Sequence, residues 1–270
     1  MASSTRKVVL CLMAHPDDCE FLAAGTLLLL AQKGWEVHIV SATPGDCGSK
    51  DLGPEQIAAK RREEGTAAAK LMGATYHCLE LRDLHVTYDA TSIRRTMTLV
   101  RSIAPTLIFT HSLQDYMPDH EMTAQLARNA SIGWFVPNSC AGPIPAGAGM
   151  PHLYYADPAG LIDYYGQPVE PGIIVDIAAV FEKKMAMLCA HESQRQWLFD
   201  HYGIDEYTNS LKNWSGARGT KISSAWGEGF RQHKGMGYPQ ECILSRELGG
   251  LVHPGGLTEA ATADRVVHKS

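Results

Sequence analysis

A chain of 270 residues is long enough for one large α/β domain or two small ones, and 45% hydrophobic with 20% charged residues is an ordinary globular composition. A formal charge of −5 with no basic stripe argues against a nucleic-acid binder, and the longest apolar run, Phe21 to Ala31, is too short to span a bilayer. The seven cysteines show no CxxC spacing, which suits small packed hydrophobes in a reducing, cytoplasmic compartment.

Arg6 and Lys7 before an apolar run resemble the start of a signal peptide. The run is short and ends in acids rather than at a small-residue cleavage site, so it reads as a first strand. Val8–Met13 is uniformly apolar, as a strand buried on both faces should be. A helix follows at about Gly25–Lys33, stopped by Gly34, and Glu36–Thr43 is a second strand leading into a glycine-bearing loop. Pro54 opens a long helix through Met72, closed by Gly73.

Thr75–Leu81 is the third strand, Thr91–Ile103 the next helix and Thr106–His111 the fourth strand. A further helix begins near Pro118 or Asp119. Val136–Pro151 is a long loop of glycine, proline and alanine, a type of segment that often forms a lid. Later strands are expected in HLYYAD (152–157) and GIIVDI (172–177), a strong helix over Ala178–Phe199, a helix near Ser224–Lys234, and a polar tail. The alternation predicts a mainly parallel sheet with right-handed crossovers, a three-layer α/β/α sandwich. No internal repeat is visible. The expected organisation is a single domain over 1–270 with a C-terminal extension from about residue 201.

Ligands of open parallel sheets bind outside the carboxyl ends of the strands. AHPDDCE (14–20) follows the first strand, and a histidine with DYMPDH (115–120) follows the fourth. Those strands are neighbours in the commonest doubly wound order. A histidine, an aspartate and a second histidine meeting there make a three-ligand metal site that leaves a position for water. The alternative is that these groups only cap a helix or close a turn, which Asp18 could do alone. That alternative explains the crowding of charge poorly. On the helix from Pro54, Ile57, Arg61, Glu64, Ala68 and Leu71 share one face. Two charges thus sit on an apolar seam, either as an intrahelical pair or as functional groups.

AHPDDCEFLAAGTL, the TPGDCGS loop, RREEGTAAAKLMG, DYMPDHEMT and HESQRQWL occur in the order and spacing of the LmbE-like, or PIG-L, family of zinc-dependent N-deacetylases. The resemblance covers roughly residues 7–200. It implies a Rossmann-like α/β sandwich that removes an N-acetyl group from a GlcNAc-type amino sugar. It further implies one zinc per chain on His15, Asp18 and His120, with Asp17 as general base. Asp119 would orient a ligand or the catalytic carboxylate from behind. Arg61 would contact substrate with Glu64 fixing it, and His191 and His111 become candidates for the acetyl pocket or the proton transfers. A trimer or hexamer is implied as well, with a small N-acyl amino sugar as partner.

The chain departs from the family pattern at Met117, where many relatives carry a histidine. A thioether can neither donate a proton nor carry charge. Either Asp17 returns the proton to the leaving amine, or Tyr116, His111 or His191 replaces the missing group. Hydrolysis of another small amide or ester, and a catalytically weakened sugar-binding homologue, are the competing readings.

Overall fold

The computed structural model describes residues 6–256, and the end of the expected polar tail lies outside the described residues. Strand β1 (Val8–Met13) is buried throughout and leads into helices α1 (Asp18–Leu22) and α2 (Ala24–Gln32). The alternation continues with β2 (Glu36–Ser41), α3 (Pro54–Met72), β3 (Thr75–Cys78), α4 (Ala90–Ile103), β4 (Leu107–Thr110) and α5 (Pro118–Gly133). After these come β5 (His152–Ala156), β6 (Ile173–Asp176), α6 (Phe181–Cys189) and α7 (Glu192–Tyr202). Last are α8 (Glu206–Lys221), β7 (Gly227–Gln232), α9 (Ile243–Leu248) and β8 (Val252–Pro254). None of these helices is long and apolar enough to cross a membrane.

Local signals set the bounds of α3 where they were expected. Pro54 takes its first turn, the Gln56 side-chain oxygen accepts from the Gly53 N–H at 3.1 Å, and Gly73 ends it in a left-handed conformation at φ 81°. In α4 the Asp89 carboxylate accepts from the N–H groups of Thr91 and Ser92, so the helix begins at Ala90.

The strands form one eight-stranded sheet in the order β3-β2-β1-β4-β5-β7-β6-β8. It is parallel from β3 through β5 and antiparallel beyond. Side chains of β1 alternate between two cores: Val9, Cys11 and Met13 pack with Leu27 of α2 and Met187 of α6, while Val8, Leu10 and Leu12 pack with Val100 of α4 and Ala127 of α5. That is the expected sandwich, with a buried strand between helical layers. Chain order reverses between β1 and β4, which pair from Val9↔Leu107 to Leu12↔Thr110. Such a reversal opens a crevice at the carboxyl ends of the two strands.

Two expectations are corrected. Residues 224–234 hold strand β7, not a helix, and β7 lies between β5 and β6. The cause is tertiary: Gly229 sits so close to the Asp157 carboxylate that any Cβ would collide with it, and Glu228 reaches across to α2. The helix expected over Ala178–Phe199 breaks at Ala190–His191, because the Glu64 carboxylate accepts from the Ser193 N–H (2.8 Å) and hydroxyl (2.6 Å) and so starts α7 afresh. The segment 136–151, for which a lid is one reading, stands away from the carboxyl ends of the strands. It joins α5 to β5 and lies at the amino-terminal end of the sheet beside Arg6, Lys7 and Thr106. Arg101 ties it down through the carbonyls of Val136, Cys140 and Gly142.

Candidate active site at the carboxyl ends of β1 and β4

The β1 end carries AHPDD on a rigid base. The Ala14 N–H donates to His111 Nε2 at 2.9 Å, and the His15 N–H donates to Asp18 Oδ2 at 2.7 Å. Asp17 stands at φ 112°, a backbone region that costs an L-residue of order 1–3 kcal/mol and persists only where neighbours over-determine it. Here the neighbours do so: Arg61 donates to the Pro16 carbonyl at 2.7 Å, and the Phe21 N–H donates to the Asp17 carbonyl at 3.1 Å.

His15, Asp18 and His120 offer ligand atoms that all lie within 4.8 Å of one another. Of these two histidines, His15 turns Nδ1 (3.3 Å) and His120 turns Nε2 (3.5 Å) toward Asp18, whose Oδ2 also meets Nε2 of the buried His111 at 3.1 Å. On their far sides, His15 Nε2 meets Asp83 Oδ1 at 3.1 Å and His120 Nδ1 meets Asp115 Oδ1 at 3.0 Å. A carboxylate on the far nitrogen of each inward-facing histidine is the arrangement that fixes tautomer and orientation in metal-binding imidazoles. These residues therefore fit a cation.

Charge in the cluster is correspondingly lopsided. His15, although burial opposes it, is held well above its ordinary pKa by the carboxylates of Asp119, Asp18 and Asp83. Asp18 is held well below the carboxylate range: burial pushes the other way, but the charges of His120 and His111 outweigh it. His111 is pushed down by burial and then by His120, on which its ring stacks at 3.9 Å.

Asp17 is the carboxylate left over. Its Oδ2 accepts from the Tyr207 hydroxyl at 2.7 Å, and its Oδ1 lies 3.4 Å from Arg61 Nη2. Burial raises its pKa most, with Arg61 opposing and Asp18 adding to the rise. Arg61 itself is buried beneath the loop after β2, with Gly45 (φ 70°) and Gly48 against its guanidinium. Gly45→Ala is expected to cost about 1–3 kcal/mol in urea unfolding and to lower activity by displacing Arg61. A variant of wild-type stability and rate would show that Arg61 yields freely.

A cavity of about 390 Å³ opens over these groups, lined at its inner end by His15, Asp17, Asp18, Arg61, Asp83 and His120. Met117 and Tyr116 also line it, so the departing position does face the site. Asp119 lies behind His15, with Oδ2 3.4 Å from Nε2 and its carboxylate bound to the N–H groups of Leu84 and Val86. His111 lies behind the cluster, fully buried, and does not line the cavity.

His191, expected at the acetyl pocket, is also absent from the cavity wall. It caps the break between α6 and α7 and borders a void of about 10 Å³ on the core side of the loop, with Asp17, Glu20, Ser41 and Tyr76. Its Nε2 is 3.5 Å from Glu20, which with Asp17 raises its pKa against the effect of burial. Glu64 binds Ser193 rather than forming the intrahelical pair with Arg61 weighed as one reading, and Leu71 is 46% exposed, off the buried seam.

Sequence reasoning missed Asp83, Asp115 and Tyr207. Asp83 follows the third strand, so the rule that sites gather at strand carboxyl ends could have found it. Asp115 precedes His120 in the quoted motif. Tyr207 arrives from α8, far along the chain, and has no local signal.

Comparison with known proteins follows the same outline. Residues 10–131 match the family PIG-L, described as GlcNAc-PI de-N-acetylase. The chain is 29% identical over 194 residues to diacetylchitobiose deacetylase of Thermococcus kodakarensis, covering 70% of each chain. It is 26% identical over 213 residues to 4-oxalmesaconate hydratase of Pseudomonas putida, covering 72% of this chain and 77% of that one. Among solved structures, N,N'-diacetylchitobiose deacetylase from Pyrococcus horikoshii superposes with a TM-score of 0.70 at 27% identity, covering 84% of each chain. Residues 10–131 thus match a PIG-L (LmbE-like) family domain, and the proteins to which the chain is similar include deacetylases and a hydratase.

Proposed function

We propose that this protein is a zinc-dependent N-deacetylase acting on a neutral N-acyl amino sugar, with His15, Asp18 and His120 holding the metal and Asp17 acting as general base. The observation that carries this reading is the division of labour between adjacent carboxylates. Asp18 faces both histidines, while Asp17 turns away to Tyr207 and Arg61 and remains on the cavity wall. A cation on the three ligands supplies Lewis acidity toward an amide carbonyl and lowers the pKa of water. Asp17 takes a proton from the attacking water and delivers it to the departing nitrogen, so that amide and water become carboxylic acid and amine. Tyr207 and Arg61 hold the Asp17 carboxylate in place for both transfers. Of the groups that could stand in for the family histidine at Met117, Tyr116 alone lines the cavity among the described residues, so proton return rests with Asp17 or Tyr116.

The hydratase relative suggests a second reading, addition of water to an unsaturated organic acid. Charge argues against it. Asp17, Asp18, Asp83 and Glu206 line the cavity, and among the described lining residues the only lysine or arginine is Arg61, which is engaged by Pro16 and Asp17. Beyond the metal itself, a substrate with several carboxylates would find no free cationic side chain among the described lining residues to pair with its further charges, whereas a neutral amide needs none.

The test is metal removal. Chelation is expected to abolish amine release from N-acetylglucosamine and a panel of N-acyl amines, and one zinc per chain is expected to restore it. Protein that binds no metal when zinc is returned, or releases amine equally well with chelator present, rules the proposal out.

A further inference from the structure

The cavity changes character from its inner to its outer end. The metal-facing end is made of histidine, aspartate and arginine, whereas the wall supplied by α7, α8 and the end of α1 is Phe21, Leu22, Trp197, Leu198 and Trp214. Phe21, Leu22, Leu198 and Trp214 also pack on the core, so their presence needs no ligand. Trp197 is different. Its ring is half-buried, lines the cavity, and is not among the side chains of either core cluster in the described residues. Trp214 tilts against Phe21 at 5.3 Å, and Phe21 meets Tyr207 edge-on at 5.0 Å, so the aromatic wall is continuous with the residue that holds Asp17.

The rim beside this wall is acidic: Glu206 lines it, bound by the Ser210 hydroxyl at 3.0 Å, and no lysine or arginine among the described residues lines it there. An anionic substituent is disfavoured at such a rim, while an uncharged apolar or ring-bearing group gains from covering the indole. We infer that the outer half of the cavity is a subsite for an uncharged apolar group carried by the substrate, with Trp197 as its main contact. This rests on the deacetylase reading of the inner half, and the apolar group has two possible sources, the sugar's aglycone or the acyl chain.

Calorimetric titration of the zinc-loaded protein separates the two sources. The ligands are N-acetylglucosamine, its phenyl glycoside, its glycosyl phosphate and N-octanoylglucosamine, each also assayed for amine release. The phenyl glycoside or the N-octanoyl sugar is expected to bind about tenfold more tightly than N-acetylglucosamine, as one added aromatic or apolar contact allows, and the phosphate no better. In Trp197→Ala that affinity ratio is expected to fall to about one, and in Trp197→Phe to remain near wild type. A gain for the phenyl glycoside alone assigns the subsite to the aglycone, and for the octanoyl sugar alone to the acyl chain. Equal affinities for all neutral ligands, or a ratio that survives Trp197→Ala, overturn the subsite even if amine is released. A Trp197-dependent ratio without amine release from any ligand leaves the subsite standing and removes the deacetylase reading instead.

Discussion

Asn in place of Asp17 is expected to leave the protein folded and metal-loaded while turnover falls by about 10²–10⁴-fold, the range for losing a positioned general base. The substitution keeps the shape of the side chain and an oxygen that can accept from Tyr207, whose hydroxyl lies 2.7 Å from Asp17 Oδ2. Asparagine also tolerates positive φ, so the strained backbone at 112° is not burdened further. The two carboxylates predict opposite signatures. Asp18→Asn is expected to lower metal content, because Asp18 is the group facing both His15 and His120. Elemental analysis beside steady-state kinetics reads both. If Asp17→Asn loses its metal and Asp18→Asn keeps it, the roles of ligand and base are reversed.

The largest stability effect is expected outside the cavity lining, at Glu228. Its carboxylate accepts from the N–H groups of Gly25 (2.8 Å) and Thr26 (2.7 Å) and from the Thr26 hydroxyl (2.6 Å), which caps the start of α2. It also pairs with the fully buried Lys184 at 2.7 Å. Glu228→Ala leaves that ammonium uncompensated in the core and is expected to cost about 3–5 kcal/mol in denaturant unfolding. The double variant Lys184→Met/Glu228→Gln is expected to recover much of the loss, because it removes the stranded charge. A single variant that loses under about 1 kcal/mol would mean water reaches Lys184 when Glu228 is gone, contrary to its burial.

That network shows why part of the molecule could not be read along the chain. Glu228 sits between two glycines in a segment with a weak pattern of its own, and β7 exists because its neighbours β5 and β6 need a partner there. The break before α7 has the same origin: it is set by Glu64, more than a hundred residues earlier in the chain (|i−j| = 129). Composition alone reads 136–151 as a long loop and leaves open whether it covers the site. Its position follows from connectivity, since a helix-to-strand connection returns to the amino-terminal edge while the site is at the carboxyl edge. His191 stood in a motif beside functional residues, yet the backbone break turns it to the core side of the loop.

The sequence by itself determined the parallel alternation, the buried β1 and the placing of His15, Asp17, Asp18 and His120 in the segments that follow β1 and β4. Those features rest on short-range patterns: apolar runs that form strands, proline and glycine that bound helices, and a crossover geometry that sends each strand end to the same edge. Only the tertiary structure decided which groups surround them. Asp83 and Asp115 stand behind the histidines, Tyr207 holds Asp17 from 190 residues away, and Arg61 turns to Pro16 and Asp17. Hydrogen bonds between segments distant in sequence leave no period or spacing in the chain, because what selects them is the packing of one layer against another.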